Sequence, residues 1–292
     1  MGHLLARLIA ANDGWAKPFG EFNHRWVFPL FHAMRPVRDF LNGTWLGHPV
    51  HPAVTDVPIG AALVAIVLDL VGEPTAAFWA AVITLLTLLA AAVTGLADYA
   101  DTDGTARTRA TLHGTIMVVG TVLTLISVIV RATAPGYDGG GAAVALLVVG
   151  FLVLAAGAYV GGDVVFVLGN MVNRHAFRGA GTKWIRLDTG DVTDLATLPE
   201  ATPRKMKAGI NDLVVVRIGD RIHALHAVCA HAGGPLAEGT VTPDGCVVCP
   251  WHQSRFRLAD GRLRQGPAVY DQPAYEVRAA EAGGYEVRRA AP

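Results

Sequence analysis

Charged residues and cysteine are both scarce in this chain. Asp, Glu, Lys and Arg together make up 16% of its 292 residues, against a hydrophobic fraction of 52% and a mean hydropathy of +0.39. This composition is too apolar for an ordinary soluble protein of such a length. The chain has three cysteines, too few for a framework of disulfides, so nothing in the sequence points to an oxidising compartment. The sequence therefore indicates a membrane protein without structural disulfides.

The apolar residues are concentrated in four long runs. These runs are residues 52–72, 77–97, 112–131 and 142–161, and the second and fourth contain no charged residue. A helix needs about 20 apolar residues to cross the hydrocarbon core of a bilayer. Turns with Gly and Pro join the runs in pairs, which predicts two antiparallel hairpins. Four soluble helices of this kind would need a larger protein to bury them, so the sequence predicts an α-helical bundle of four transmembrane helices.

Lys and Arg flank the predicted helices unevenly. They collect in the N-terminal flank, between the second and third helices, and after the fourth, whereas the other two loops offer Arg131 alone. Because basic loops stay in the cytoplasm, we expect a multi-pass protein of the cell (inner) membrane with both termini cytoplasmic. The first 14 residues do not resemble a signal peptide, because Arg7 interrupts a short apolar run. The flanking basic residues are Arg7, Lys17, Arg25, Arg35, Arg38, Arg107, Arg109, Arg174, Arg178, Lys183 and Arg186.

The predicted organisation has four parts. Residues 1–44 are rich in aromatic and basic side chains, and we expect either one or two helices at the membrane interface or a soluble cap on the bundle. Residues 45–170 form the transmembrane domain, and 171–181 form a linker in which His175 is expected at the surface. In the last part, 182–292, alternating apolar runs separated by turns of Gly, Asp and Pro predict a small all-β antiparallel sandwich.

Histidines and acidic residues collect at the predicted cytoplasmic ends of the helices. His48, His51 and Asp56 lie before or at the start of the first helix, and His113 opens the third. Ionisable groups at membrane depth are candidates for function. Asp69, near the far end of the first helix, is instead expected to be an interface residue rather than a proton relay.

Three interpretations of these histidines stay open. A b-type haem would take His48 or His51 together with His113 as axial ligands, with Arg107 or Arg109 near its carboxylates. Another metal or a quinone could use the same histidines, or the histidines could serve only to hydrogen-bond loose helix ends. No histidine lies toward the opposite membrane face, so there is room for at most one layer of haem.

The sequence GHPVHP ahead of the first predicted helix is a recognisable motif. Together with a histidine that opens the third helix, it makes residues 44–170 resemble a widespread four-helix membrane domain of uncharacterised function. The resemblance implies the fold and no particular chemistry.

Two short motifs in the last third of the chain carry the strongest chemical signal. Cys229 and His231 form C-x-H, and Cys249 and His252 form C-x-x-H, with 17 residues between the two pairs. Two thiolates on one iron and two imidazoles on the other are the ligands of a Rieske 2Fe-2S cluster. A structural zinc ion also takes two cysteines and two histidines, although zinc fingers space their cysteines less tightly than C-x-H. The third cysteine, Cys246, is expected to be a buried strand residue.

The segments CAHAGGPL and CPWHQSRF make residues 182–292 resemble the Rieske 2Fe-2S domain family, in its ferredoxin-like and oxygenase-associated branch. The resemblance implies electron transfer and a cluster at one tip of the domain, where His231 and His252 would be the ligands nearer to solvent. The quinol-oxidising branch carries a disulfide between the positions of Gly234 and Trp251, so this chain cannot form that disulfide.

Two further positions bear on the reduction potential that the resemblance implies. In the quinol-oxidising branch a serine and a tyrosine hydrogen-bond the cluster. This chain keeps the serine as Ser254 but has Phe256 in place of the tyrosine. One lost donor predicts a potential in the lower part of the Rieske window of about −150 to +300 mV.

A complete oxygenase is not expected. Rieske oxygenases activate oxygen at a second iron held by two histidines and a carboxylate, and no histidine follows His252. We expect instead a membrane-anchored electron-transfer component of an oxidoreductase, a carrier or a subunit. The alternative is a non-catalytic redox or iron sensor. No motif indicates binding to nucleic acid, and the sequence does not indicate an oligomeric state. A cluster of basic residues after the second motif favours an acidic soluble redox partner; these residues are Arg255, Arg257, Arg262 and Arg264.

Overall fold

The computed structural model describes residues 2–176 and 183–290. Arg178 and residues 177–181 of the predicted linker lie outside the described residues, and the predicted domain boundaries stay predictions. The chain divides into two compact units. We call them the helical unit, Met1–Val37 with Pro49–Asn170, and the sheet unit, Arg38–His48 with Met171–Pro292.

The α-helices of the described residues precede the strands. In chain order they are α1 (Gly2–Ala10), α2 (Asp13–Ala33), α3 (Arg35–Asn42), α4 (Val50–Leu70), α5 (Pro74–Ala100), α6 (Gly104–Ala132) and α7 (Gly140–Gly162), which a π-helical turn extends over Asp163–Val167. By length and composition α4, α5, α6 and the extended α7 can each cross a membrane, with mean hydropathies from 1.9 to 2.5. This confirms the predicted bundle of four apolar helices. Helices α5 and α6, with 27 and 29 residues, exceed the length that crossing requires.

Small residues mark where the long helices meet. A Cβ atom added to Gly120 of α6 would lie 2.6 Å from the Cδ2 atom of Leu154 on α7. Ala65, Ala81 and Leu147, from α4, α5 and α7, form one buried cluster. Many larger apolar side chains on these helices are exposed. This is the arrangement of helices that pack closely on each other and face lipid elsewhere.

A buried ion pair joins α4 to α6. The Nη1 and Nη2 atoms of Arg131 donate to Oδ1 and Oδ2 of Asp69 at 2.8 and 2.6 Å, and the two side chains are 1% and 4% exposed. The Nε atom of Arg131 also donates to Ser127, at 3.3 Å. The sequence did not predict this ion pair, and the position of Asp69 at the membrane interface stays a prediction. Inside a helical bundle a charge is stabilised by an opposite charge, and the bidentate guanidinium of Arg131 supplies it.

Helix α2 packs on the helical bundle through polar contacts. The hydroxyl of Tyr99 on α5 donates to the carbonyl oxygen of Gly20 at 2.8 Å, and Arg107 of α6 pairs with Glu21 at 2.8 Å. Several aromatic side chains of α2 stay exposed, and Trp26 is 71% exposed. Exposed aromatic rings beside polar contacts suit either an interfacial helix or a cap, so both interpretations of this segment remain.

The strands of the sheet unit pair antiparallel in both of its sheets. One sheet has the order β1-β10-β9-β4-β3-β2 and the other the order β5-β6-β7-β8. The strands are β1 (Ile185–Leu187), β2 (Arg204–Ala208), β3 (Asn211–Ile218), β4 (Arg221–His226), β5 (Thr240–Val241), β6 (Cys246–Val248), β7 (Arg255–Arg257), β8 (Leu263–Gln265), β9 (Ala274–Ala279) and β10 (Tyr285–Arg289). The predicted antiparallel β-domain is therefore confirmed.

Strand β3 separates two cores. Leu213 and Val215 belong to the core that contains Val287, whereas Val214 and Val216 belong to the core shared with the four-stranded sheet. Successive side chains of a strand point to opposite faces, so a continuous apolar run fills both cores. The second core ends at the loops that carry Cys229 and Cys249, whose side chains are part of it.

Candidate metal centre

The two predicted ligand motifs lie on two loops with the same backbone hydrogen bonds. In the first loop, which follows β4, the N–H of Cys229 donates to the carbonyl of Gly234 at 2.8 Å, and the N–H of Gly233 donates back to Cys229 at 3.0 Å. In the second loop, between β6 and β7, the N–H of Cys249 donates to the carbonyl of Ser254 at 2.9 Å, and the N–H of Gln253 donates back to Cys249 at 3.0 Å. Each loop therefore closes tightly behind its cysteine.

The two cysteine sulfurs lie together and receive backbone donors. The N–H groups of His231 and Ala232 donate to Cys229, and those of Trp251 and His252 donate to Cys249. A hydrogen bond between the two thiols lowers the pKa of Cys249 to about 7 and raises the pKa of Cys229 well above its ordinary value. Thiolates are the form of cysteine that binds metals, and oriented N–H groups stabilise negative sulfur.

The two histidines of the motifs face each other at the same tip. The ring centroids of His231 and His252 are 5.0 Å apart, with planes at 89°. His231 is 4% exposed, and its Nδ1 atom is buried without a hydrogen-bond partner among the described residues. Burial, followed by the charges of His252, Arg38 and Arg174, lowers the pKa of His231 to about 3. A buried neutral imidazole with an unused nitrogen fits a metal ligand.

The two histidines differ in exposure. His252 is partly exposed, whereas His231, at 4%, is nearly as buried as Cys229 and Cys249, at 1% and 2%. The sheet unit includes the segment Arg38–His48, which sequence reasoning did not connect with this domain. Within that segment Arg38 is itself buried, and its charge acts on His231.

That added segment is tied to the loop after β8. The Nη2 atom of Arg38 donates to the carbonyl oxygen of Gly266 at 2.9 Å, and the N–H of Gly266 donates to Asp39 at 3.0 Å. A Cβ on Gly266 would lie 2.7 Å from the Cγ2 atom of Thr44. More than 200 residues separate these partners along the chain, and no local motif signals their contact.

Two other side chains that were not predicted hold the first loop. Gln272, which is buried, accepts from the N–H of Ala230 at 2.9 Å and donates to the carbonyls of His226 and Val228 at 2.6 and 2.7 Å. His175 was expected at the surface, but it is buried and bonds through Nε2 to Val228 at 2.8 Å. The carbonyl of Val228 therefore accepts hydrogen bonds from both Gln272 and His175.

Gly234 and Trp251, at the positions where the quinol-oxidising branch has its disulfide, pack closely around Cys249. A Cβ on Gly234 would lie 2.7 Å from the sulfur of Cys249 and 3.1 Å from the ring of Trp251. Trp251 is 51% exposed beside His252. The described cysteines are all free. Cys246 is buried on β6, as expected, and its thiol donates to Asp244 rather than joining the other two.

Ser254 and Phe256 are both fully buried. The hydroxyl oxygen of Ser254 accepts from the N–H of Ala268 at 3.0 Å, so its own proton remains available to a neighbouring acceptor. Phe256 lies in the core beside Val247, where a hydroxyl would need a partner.

The segment after the second motif carries less net positive charge than its four arginines indicate. Arg257 forms a close ion pair with Asp260, and Arg262 lies 3.6 Å from the same carboxylate. Arg255 is half-buried and Arg264 is exposed. Asp260 therefore offsets part of the positive charge that the four arginines carry.

In the helical unit the structure brings two of the predicted histidines together. The ring centroids of His51 and His113 are 6.3 Å apart, with planes at 76°. His48 is exposed and belongs to the sheet unit, and Asp56 is exposed on α4. Among the described residues no three His, Cys, Asp or Glu side chains are arranged to hold a single metal ion.

Comparison with known proteins supports both parts of the chain. Residues 189–276 match the Rieske 2Fe-2S domain, and residues 47–174 match a predicted membrane protein family, DUF2231. The anthranilate 1,2-dioxygenase ferredoxin subunit of Burkholderia cepacia is 37% identical over 79 residues, which cover 27% of this chain and 72% of that protein. The match with apoptosis-inducing factor 3 of Mus musculus, 29% identical over 87 residues, covers 30% of this chain and only 14% of that protein.

Among solved structures, the ferredoxin of carbazole 1,9a-dioxygenase from Nocardioides aromaticivorans IC177 is 26% identical, with 38% of this chain and 99% of that chain covered and a TM-score of 0.31. A Rieske domain implies a 2Fe-2S cluster and electron transfer, and the four apolar helices fit a membrane anchor. The chain belongs to the Rieske 2Fe-2S family and carries its Rieske domain together with a DUF2231 membrane domain.

Proposed function

We propose that this chain is a membrane-anchored one-electron carrier of an oxidoreductase system. Cys229 and Cys249 hold one iron of a 2Fe-2S cluster through their sulfurs, and His231 and His252 hold the other. Such a cluster accepts and releases single electrons, and neutral imidazole ligands raise its potential relative to an all-cysteine cluster. The protein supplies the ligands, the donors to sulfur and a partly exposed edge.

The observation that carries this proposal is the tip where the two loops meet. Two thiols receive four backbone N–H groups there, and a buried imidazole nitrogen has no hydrogen-bond partner among the described residues. A protein without a bound group would leave that nitrogen at a cost of about 1–3 kcal/mol. A cluster of iron and sulfide accounts for the thiols, the donors and the nitrogen at once.

Exposure determines where an electron enters and leaves. Of the two histidines His231 is buried, whereas His252 is partly exposed with Trp251 beside it. We place the contact with the redox partner at His252. The relatives named as dioxygenase ferredoxins suggest that the partner is another oxidoreductase subunit, and the exposed Arg264 favours an acidic one.

The membrane placement is also part of the proposal. The excess of Lys and Arg at one side of the four helices supports a cytoplasmic orientation of both termini in the cell membrane. We propose the predicted domain limits 1–44, 45–170, 171–181 and 182–292 as working boundaries. The carrier would exchange electrons with a soluble partner and with a haem or quinone site in the helical unit.

A redox or iron sensor is the alternative. In that case reduction would change the accessibility of the helical unit, whereas a carrier would be reduced and reoxidised rapidly with no such change. Proteolysis or cysteine labelling of the oxidised and reduced protein, followed beside stopped-flow reduction, separates the two.

The proposal is tested by metal and sulfide analysis of the full-length protein in detergent. We expect two non-haem irons and two acid-labile sulfides per chain, no zinc, and a broad visible absorption of the cluster that reduction bleaches. The variant Cys249→Ser should lose the non-haem iron and the sulfide, and Cys246→Ser, a buried cysteine outside the site, should keep both. One zinc per chain, or equal non-haem iron in both variants, would refute the assignment.

A further inference from the structure

Two different hairpins of the helical unit hold His51 and His113 in the same way. The Nδ1 atom of His51 on α4 lies 2.9 Å from the carbonyl oxygen of Ala91 on α5. The Nδ1 atom of His113 on α6 lies 2.8 Å from the carbonyl oxygen of Gly157 on α7. A carbonyl oxygen only accepts, so each ring carries its proton on Nδ1 and leaves the lone pair of Nε2 available. Histidines that bind metals are commonly held by this bond to a carbonyl.

A glycine makes room for each imidazole. Gly95 lies four residues after Ala91 on α5, and a Cβ there would be 2.9 Å from the His51 ring. Gly161 lies four residues after Gly157 on α7, and a Cβ there would be 3.0 Å from the His113 ring. Both imidazoles therefore pack directly on a helix backbone. The chain shows no convincing sequence repeat, yet the two hairpins repeat the same carbonyl, glycine and histidine arrangement.

The separation of the rings suits one metal between them. With metal–nitrogen distances of about 2.0–2.1 Å, two imidazoles on opposite sides of one metal have ring centres about 6 Å apart. The observed separation of the centroids of His51 and His113 is 6.3 Å. Among the described residues neither Nε2 atom has a hydrogen-bond partner.

The number of ligands points to the kind of metal. A bare zinc ion needs about four ligands, and His51 and His113 supply two. A haem brings four nitrogens of its own, so that two axial imidazoles complete the iron. Two histidines without further ligands therefore favour haem over a bare ion.

An arginine near His113 adds an independent observation. Arg109 lies one helical turn before His113 on α6, on the same face. Its Nη2 atom pairs with Oδ2 of Asp13 at 3.3 Å. Its Nε and Nη1 atoms, and Oδ1 of Asp13, are buried with no hydrogen-bond partner in the described part of the chain. Buried guanidinium donors without an acceptor cost free energy, and the propionate carboxylates of a haem are suitable acceptors.

We propose that the helical unit binds one b-type haem through the Nε2 atoms of His51 and His113, with Arg109 on a propionate. This deepens the proposed electron-carrier function and rests on it for the physiological role of the haem. The binding itself is independent of the cluster, because none of the four cluster ligands takes part.

The test is a titration of haemin into the full-length protein in detergent, together with spectra of the protein as purified. We expect one haem per chain, a low-spin ferric signal from two imidazoles, and sharp bands on reduction. His51→Ala and His113→Ala should each weaken binding by at least the roughly 10–100-fold that loss of an outer-shell partner costs. His48→Ala, three positions from His51 and exposed, is the matched control and should bind as the wild type does.

Two further measurements keep the proposal testable if an alanine variant does not fold. His113→Met supplies a thioether, which should keep the haem but raise its reduction potential.

The wild-type protein gives the second measurement. A high-spin ferric signal from it would overturn the proposal, as would haemin binding that is unchanged in the histidine variants. Iron and sulfide assays on the same sample separate the two proposals. A cluster without haem would refute this inference alone, and haem without a cluster would refute the proposed function alone.

Discussion

Both units of this protein hold a pair of histidines, and they do so by different means. In the sheet unit His231 and His252 stand on loops whose backbone N–H groups point at cysteine sulfurs. In the helical unit His51 and His113 stand on helices whose N–H groups are already bonded along the helix. A loop can therefore surround an inorganic cluster with donors, whereas a membrane helix can offer only its side chains. Accordingly the loop site suits iron and sulfide, and the helix site suits a group that brings its own ligands.

The largest effect on the sheet unit is expected from Gly234→Ala. The new methyl group would lie 2.7 Å from the sulfur of Cys249, so either the sulfur or the loop must move and the cluster should be largely lost. Iron content measures this. Gly245→Ala is the control, because no atom lies within 4 Å of the added methyl group although the backbone of Gly245, unlike that of Gly234, is left-handed. That variant pays about 1–2 kcal/mol of backbone strain and keeps its iron. Full iron content in Gly234→Ala would contradict the described packing.

A second change addresses the helical unit alone. Asp69→Asn leaves the buried guanidinium of Arg131 without its charge partner, which should cost about 3–5 kcal/mol. We expect a much lower unfolding temperature for the helices in detergent, as followed by circular dichroism. The double variant Asp69→Leu with Arg131→Leu should recover most of this loss. An unchanged unfolding temperature in Asp69→Asn would show that the pair is not buried in the folded protein.

A third change weakens the support of the first ligand loop. Gln272→Ala removes three hydrogen bonds, to Ala230, His226 and Val228, each worth about 0.5–1.5 kcal/mol. We expect the cluster to be lost on heating at a lower temperature than in the wild type. Gln272→Glu retains an acceptor for Ala230 and should lie between the two. Equal thermal loss in all three proteins would mean that Gln272 does not hold the loop.

A fourth change alters the potential with little effect on folding. Ser254 accepts from Ala268 and keeps a proton to donate. In the quinol-oxidising branch of the Rieske family the serine at the matching position donates to the cluster. Ser254→Ala should keep full iron content but lower the midpoint potential, because a donor stabilises the reduced, more negative cluster. A redox titration followed by absorbance measures the shift. A raised potential would contradict this role.

The smallest effect is expected from Asp260→Asn. The bond to Arg257 lowers the pKa of Asp260 to about 2, from a usual value near 3.8. A lowered carboxyl pKa stabilises the fold above the unfolded pKa, and this contribution is lost as the pH falls from about 4 toward 2. The substitution should thus slightly lower the unfolding temperature at pH 7, and the difference should vanish near pH 2. The effect is small because exposed ion pairs are screened, and a difference that grows in acid would contradict the assignment.

Sequence reasoning predicted the parts of each site that are local in the chain. The C-x-H and C-x-x-H motifs and the four apolar runs each lie within a short segment, so their spacing reveals them. Gln272, and Arg38 with its partner Gly266, contact the ligand loops from distant positions. Such contacts depend on tertiary packing, which no local pattern reports.

In the helical unit, too, the sequence did not reveal contacts that form only in the folded chain. His51 and His113 were predicted as candidates, but the equivalent roles of Gly95 and Gly161 emerge only when the hairpins are formed. Glycine is common in membrane helices for several reasons, so these two positions carry no distinctive signal. The ion pair of Asp69 was not predicted because its partner Arg131 lies 62 residues away. A distance of that kind conceals a buried ion pair.

The most direct test of the central claim is pulsed electron paramagnetic resonance of the dithionite-reduced full-length protein labelled with ¹⁵N-histidine. We expect a reduced 2Fe-2S signal coupled to two histidine nitrogens, with one coupling lost in His252→Cys if that variant retains a cluster. A signal without histidine coupling, or no iron-sulfur signal in a folded, iron-loaded protein, would contradict the assignment of Cys229, His231, Cys249 and His252 as the ligands of a Rieske cluster.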